Sequence, residues 1–233
     1  MTDSYNQSVL SKEQIDSVIA LYTRGQYQEV IDQIKVLNEK YPNVPLLFNI
    51  VGACYKALGQ FQGAAKMFET AVNIKPNYAE AHKNLGITLK ELGEFDAAVA
   101  SLRKAIIIDS EYIDAHYNLA ITFKDYDHFN DAVNSYKRVL EINPNFAEAH
   151  NNLGNVFKDL EQLDEAVKSY KMAIVINPNF AEAHNNLGNV FKDLEQLDEA
   201  VKSYKKAISC NQNLSDPHYN LGVTLKKLRQ LDG

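Results

Sequence analysis

The sequence predicts an all-α solenoid of antiparallel helix pairs. Three observations predict it. A pattern of 34 residues recurs through nearly the whole chain. Asn143 to Lys171 reads NPNFAEAHNNLGNVFKDLEQLDEAVKSYK, and Asn177 to Lys205 repeats it residue for residue. Within each copy the apolar residues fall at helical spacing. A fixed period of this length marks small helical units that bury their apolar faces on one another.

The elements follow in order. Residues 1–10 read as a polar tail. Full units are expected at 11–44, 45–78, 79–112, 113–146, 147–180 and 181–214, and a partial unit at 215–233. In the unit 147–180, His150, Leu153, Gly154 and Phe157 hold positions 4, 7, 8 and 11. At about 100° per residue they share one helical face. Ala166, Tyr170 and Ala173 repeat that logic on a second helix, which Pro178 stops. Small residues at positions 8 and 20 (Gly86 and Ala98, Gly154 and Ala166, Gly188 and Ala200) let the paired helices approach. Gly25, Gly59 and Gly93 stand in the turn between the helices. Later units place Asp127, Glu161, Glu195 and Arg229 there, so the turn is expected not to require glycine.

Composition narrows the function classes. The chain has 233 residues, 45% of them apolar, and a net charge of −6. With a pI near 5.5 and no basic block, nucleic-acid binding is not expected. The N-terminus carries no secretory pattern, and no apolar run approaches the ~18 residues of a membrane span. Cys54 and Cys210 lie far apart in an array whose units touch only their neighbours. They are expected to stay unpaired and to pack as small hydrophobes, which fits a reducing, cytoplasmic setting.

The repeat resembles the tetratricopeptide repeat (TPR) family. The resemblance rests on His82-x-x-Leu85-Gly86-x-x-Leu89 and on His150-x-x-Leu153-Gly154-x-x-Phe157…Ala166-x-x-x-Tyr170…Pro178, and it covers residues 11–233. There are departures. His stands for the usual aromatic at position 4, and Ser110 and Gln212 stand for the helix-ending proline. The first unit, with Gln14 and Ser17 at positions 4 and 7, is the poorest match, as befits a cap. The resemblance implies a right-handed superhelix whose concave face is lined by the first helix of each pair.

Positions 2, 5, 6, 9, 12 and 13 of the first helix lie opposite its core arc, free to bind. Position 6 is Asn84, Asn118, Asn152, Asn186 and Asn220. Asparagine inside a helix costs roughly 0.5 kcal/mol relative to alanine. A primary amide both donates and accepts, so it can pair with a peptide main chain. Neighbouring helices stand about 8–10 Å apart, and an extended chain advances about 3.3 Å per residue. One asparagine per unit then meets roughly every third ligand residue. The row is similar to that of the TPR region of O-linked N-acetylglucosamine transferases, where position-6 asparagines hold substrate polypeptide. The alternative is that asparagine is simply common at this position.

Position 12 carries Lys56, Lys90, Lys124, Lys158, Lys192 and Lys226. Alone these favour an acidic ligand. Position 2 (Glu80, Asp114, Glu148, Glu182, Asp216) and position 13 (Glu91, Asp125, Asp159, Asp193) balance them, so solvated, mutually paired charges are the expectation. The Lys/Asn/Arg clamp with which some TPR proteins hold a C-terminal carboxylate is absent, since Ile87 follows Lys83 at the needed spacing and position 2 is acidic from the third unit onward.

His82, His116, His150, His184 and His218 recur once per unit. Zinc needs ligands about 2.0–2.1 Å from one centre, and repeats stand too far apart for that. Packed, hydrogen-bonded histidines are expected, with no metal and no cofactor. Tyr136, Tyr170 and Tyr204 share position 24 with Phe68 and Leu102, a mix that says packing. No nucleophile with a base is visible, so no enzyme activity is expected.

Leu221, Leu225 and Leu228 in the partial unit lack a second helix to cover them. Either that helix serves as a cap or the chain is a piece of something longer. The leading expectation is a non-catalytic scaffold holding an extended protein or peptide partner, through Asn84, Asn118, Asn152, Asn186 and Asn220 with Lys90, Lys124, Lys158 and Lys192. The alternatives are a substrate-recruiting module of a glycosyltransferase, sulfotransferase or oxygenase, and a structural protein that associates end to end.

Overall fold

The computed structural model describes residues 10–231, with side chains to residue 230. Thirteen α-helices and no strand occur among the described residues. The chain divides into two compact units, Met1–Asn118 and Leu119–Gly233, and the division falls within one helix.

The first unit holds α1 (Lys12–Thr23), α2 (Tyr27–Lys40), α3 (Pro45–Ala57), α4 (Phe61–Ile74), α5 (Ala79–Glu91), α6 (Phe95–Ile108) and the first half of α7 (Ile113–Asp125). Ser11 starts α1 with a capping box. Its hydroxyl accepts from the Gln14 amide N–H, and the Gln14 side chain accepts from the Ser11 N–H. Of the expected polar tail, residues 1–9 lie outside the described residues. Leu10, assigned to that tail, packs instead on the core of Val18, Val30, Ile34, Leu47 and Cys54. It is apolar and adjoins the capped helix, so burying it is favourable.

The second unit holds the rest of α7, then α8 (Phe129–Ile142), α9 (Ala147–Asp159), α10 (Leu163–Ile176), α11 (Ala181–Asp193), α12 (Leu197–Cys210) and α13 (Ser215–Leu231). Tyr136, Tyr170 and Tyr204 are fully buried, as are Ala166, Ala173, Ala200 and Ala207.

Close helix approach is paid for by glycine. A Cβ on Gly154 would stand 2.7 Å from the Tyr170 ring, and one on Gly188 would stand 2.6 Å from the Tyr204 ring. In the first unit Gly52 meets Phe68 at 2.7 Å and Gly86 meets Leu102 at 2.6 Å. All are closer than real Cβ contacts allow.

The turns do not require glycine, as expected, but they share one backbone conformation. Gly25, Gly59 and Gly93 have φ of 74°, 72° and 77°, and Asp127, Glu161 and Glu195 have φ of 56°, 58° and 58°. Every such turn demands the left-handed region, which glycine enters freely and other residues enter at a cost. The reason is the close of the first helix. The N–H after the turn residue bonds back five residues, as from Gln60 to the Tyr55 carbonyl (2.8 Å) and from Gln162 to the Phe157 carbonyl (2.8 Å). That geometry requires positive φ whatever the side chain. Arg229 takes no such turn, because α13 continues through it.

Candidate functional site

The position-6 asparagines all lie on the first helix of a pair, and all are half-buried. In the first unit, Asn84 Nδ2 donates to Asn49 Oδ1 of the preceding repeat at 3.1 Å. Asn49 is 5% exposed, so its amide is an interior anchor rather than a solvated group. Asn118 differs: its Nδ2 folds back onto the Asp114 carbonyl of its own helix at 2.7 Å.

The second unit holds a denser amide network of its own. Asn186 Nδ2 donates to Asn151 Oδ1 at 3.1 Å and to Asn155 Oδ1 at 3.2 Å. One repeat on, Asn220 Nδ2 reaches Asn189 Oδ1 at 3.1 Å and Asn185 Oδ1 at 3.4 Å. Asn151, 1% exposed, donates to Glu182 Oε1 and to Asn152 Oδ1. The tyrosine hydroxyls complete the set. Tyr170 donates to Asn155 Oδ1 at 2.7 Å, and Tyr204 donates to Asn189 Oδ1 at 2.9 Å. Burial and nearby carboxylates push the Tyr170 phenol well up. Burial first, then the Asp193 charge, pushes Tyr204 up to about 12.

Sequence reasoning singled out position 6 and missed its partners. Asn49, Asn151 and Asn185 occupy position 5, and Asn155 and Asn189 occupy position 9. The string Asn-Asn-Leu-Gly-Asn was the available signal, since it places three amides on the same inner arc.

A cavity of about 260 Å³ opens in the first unit. It is lined by Ile19 and Tyr22 of α1, Asn49, Ile50, Ala53 and Lys56 of α3, Phe68 of α4, and Glu80 and Asn84 of α5. Except for Phe68, these stand at positions 2, 5, 6, 9 and 12.

The lysine row is partly paired. Lys90 meets Glu91 at 3.1 Å, and Lys124 meets Asp159 at 3.9 Å. Lys158 and Lys192 are half-buried on their helices. Lys83 meets Asp114 at 3.9 Å and lies over the Tyr112 ring at 5.4 Å. The carboxylate of each pair is exposed to solvent, so the pairs contribute little stability.

Each recurring histidine places Nε2 on the carbonyl six residues before it. The distances are 2.9 Å for His82 to Pro76, 3.1 Å for His116 to Ser110, 3.0 Å for His150 to Pro144, 3.0 Å for His184 to Pro178 and 3.2 Å for His218 to Gln212. A carbonyl only accepts, so Nε2 carries the proton and the ring ties down the turn between repeats. Among the described residues no group of ligating side chains converges on a metal position, and no helix is long and apolar enough to cross a membrane.

The pattern of the TPR repeat family matches residues 52–93, 88–125, 128–160, 154–194 and 188–228. No curated protein matches the chain. Among solved structures, the chain is similar to MamA at 28% identity, over 70% of this chain and 95% of that one, with a TM-score of 0.65. It is similar to YrrB, described as a TPR protein with an unusual peptide-binding site, at 19% identity, over 80% and 96% of the two chains, with a TM-score of 0.65. The C-terminal part of a TPR repeat-containing protein from Cytophaga hutchinsonii aligns at 18% identity, over 84% and 78%, with a TM-score of 0.72.

Proposed function

The chain belongs to the TPR repeat family, and we propose that it is a protein-interaction scaffold whose inner face holds an extended polypeptide. The observation that carries this reading is the polarity of the amide row. Asn84, Asn186 and Asn220 each commit Nδ2 to the preceding repeat. Their Oδ1 atoms are left as acceptors, held in place before a ligand arrives. The main-chain N–H groups of an extended segment are matched donors. Side chains already ordered spare the complex that entropic cost. Lys90 in the first unit, and Lys124, Lys158 and Lys192 in the second, stand on the same helices as the asparagines and would contact ligand side chains. On this reading the chain recruits and does not catalyse. Two unpaired cysteines suit a cytoplasmic setting.

The test is retention of extended peptides on an immobilised library by the chain and by its Asn186/Asn220 double alanine variant. Alanine raises helix propensity, so helicity measured by circular dichroism should hold. Peptide affinity should fall by about tenfold or more. Equal affinity for both proteins would sink the reading.

One observation favours a second reading, association between copies. On α13, Tyr219 is 73% exposed and Val223 45% exposed. Gly222 has nothing within 4 Å of a Cβ position, where Gly154 and Gly188 meet tyrosine rings. Apolar surface of this kind marks contact sites. Sedimentation showing monomer alone at high concentration would dismiss it.

A further inference from the structure

The polypeptide-binding reading is the premise here, and the first unit adds what that polypeptide must carry. In α3 the amide row is interrupted. Position 6 holds Ile50 and position 9 holds Ala53, where α9 holds Asn152 and Asn155. The interruption coincides with the cavity of about 260 Å³. Sites for whole small molecules run upward from roughly 300 Å³, so the cavity has the size of a socket for a side chain. Its apolar wall is wetted: Ile19 is 46% exposed. Covering such surface is favourable in proportion to the area removed from water.

The rim differs from the floor. Asn84, anchored on buried Asn49 at 3.1 Å, presents its amide oxygen to any backbone that enters. Lys56 also faces the cavity and is half-buried. Among the described residues no carboxylate forms an ion pair with it. Burial and the like charge of Lys83 pull its ammonium below the ordinary lysine value, against a smaller opposing pull from Glu91. A half-buried cation in that state is stabilised by an incoming carboxylate. Glu80 borders the same cavity, but it is exposed and is not among the charges that act on Lys56. Solvent screens it.

We propose that this cavity is a specificity pocket that takes one bulky aliphatic side chain of an extended polypeptide, with an acidic side chain of the same segment set on Lys56. In an extended chain, side chains two residues apart point to the same face. The segment proposed is an aliphatic residue, any residue, then an acidic residue.

The experiment is fluorescence anisotropy with labelled Gly/Ser peptides carrying a central Leu-Ser-Asp, Ser-Ser-Asp or Leu-Ser-Asn. The proteins are the full chain, its Lys56→Gln variant and the Asn186/Asn220 double alanine variant. The Leu-Ser-Asp peptide should bind about tenfold more tightly than either altered peptide. Lys56→Gln should lower the Asp peptide to the level of the Asn peptide and leave the Asn peptide unchanged. If the full chain binds all three peptides equally and the double variant loses them all, the pocket is overturned and the inner-face reading stands. A Lys56→Gln protein that keeps the Asp-over-Asn preference also overturns the pocket. Binding that neither variant weakens, or none at all, overturns both.

Discussion

The Tyr170 hydroxyl donates to Asn155 Oδ1 at 2.7 Å, and that oxygen also accepts from Asn186 Nδ2 at 3.2 Å. A ring buried between paired helices thereby holds an amide of the inner face, which in turn holds the next repeat. Core and candidate site share one hydrogen-bonded chain, so changes in the core should be felt at the face.

Tyr170→Phe tests that link. Phe68 fills the same repeat position in α4, so the ring alone packs acceptably. The loss is one hydrogen bond, worth about 1 kcal/mol. Urea unfolding should show that cost. Peptide affinity should also weaken, because Asn155 loses the partner that fixes it and Asn186 is then held less firmly. Unaltered affinity together with lowered stability would confine Tyr170 to packing.

Glycine at position 8 gives opposite outcomes in two places. Gly154→Ala sets a Cβ 2.7 Å from the Tyr170 ring, and the two helices must part. The expected loss is about 1–3 kcal/mol. Gly222→Ala meets open space on α13. There the gain in helix propensity dominates, about 1 kcal/mol in favour of the variant. Thermal melts of the two proteins would check both signs.

These glycines also show how much was legible in the sequence. The helix pairs were readable because Leu153, Gly154, Phe157, Ala166 and Tyr170 act within one unit, where spacing reports contact directly. The amide network was less so. Asn186 bonds partners 31 and 35 residues away. That separation becomes contact only once repeats pack, and position 6 alone did not reveal that Nδ2 would be consumed. The Tyr170 hydroxyl hid behind its ring, whose burial alone explained its position. In the turns, Glu161 concealed a positive φ, since the constraint comes from the helix end and not from the residue.

That constraint makes Glu161→Gly a stabilising change. Glu161 has φ of 58° and is exposed. Its backbone N–H bonds the Lys158 carbonyl at 2.9 Å, a bond glycine keeps. Relief of left-handed strain, roughly 1–2 kcal/mol, is offset in part by the greater chain entropy of glycine when unfolded. A net gain of about 0.5–1 kcal/mol is expected, seen as a higher urea midpoint. Glu195→Gly should gain less, because Glu195 also pairs with Lys227 at 2.6 Å. Equal gains at both sites would remove that pair from the account.

His184 supplies a pH dependence whose sign is fixed by burial. Desolvation lowers its pKa below the ordinary 6.5, the bond to the Pro178 carbonyl raises it by less, and the Lys206 charge lowers it again. The unfolded chain therefore takes up a proton first as pH falls. Stability from this group is fully present above about pH 6.5 and is lost as pH falls through that value toward the lower folded pKa. Melting temperature should drop between pH 7.5 and 5. His184→Gln keeps a donor for the carbonyl but cannot titrate, so its profile should be flatter over the same window. Parallel profiles for the two proteins would assign the acid sensitivity to other groups and leave His184 as a hydrogen-bonded strut alone.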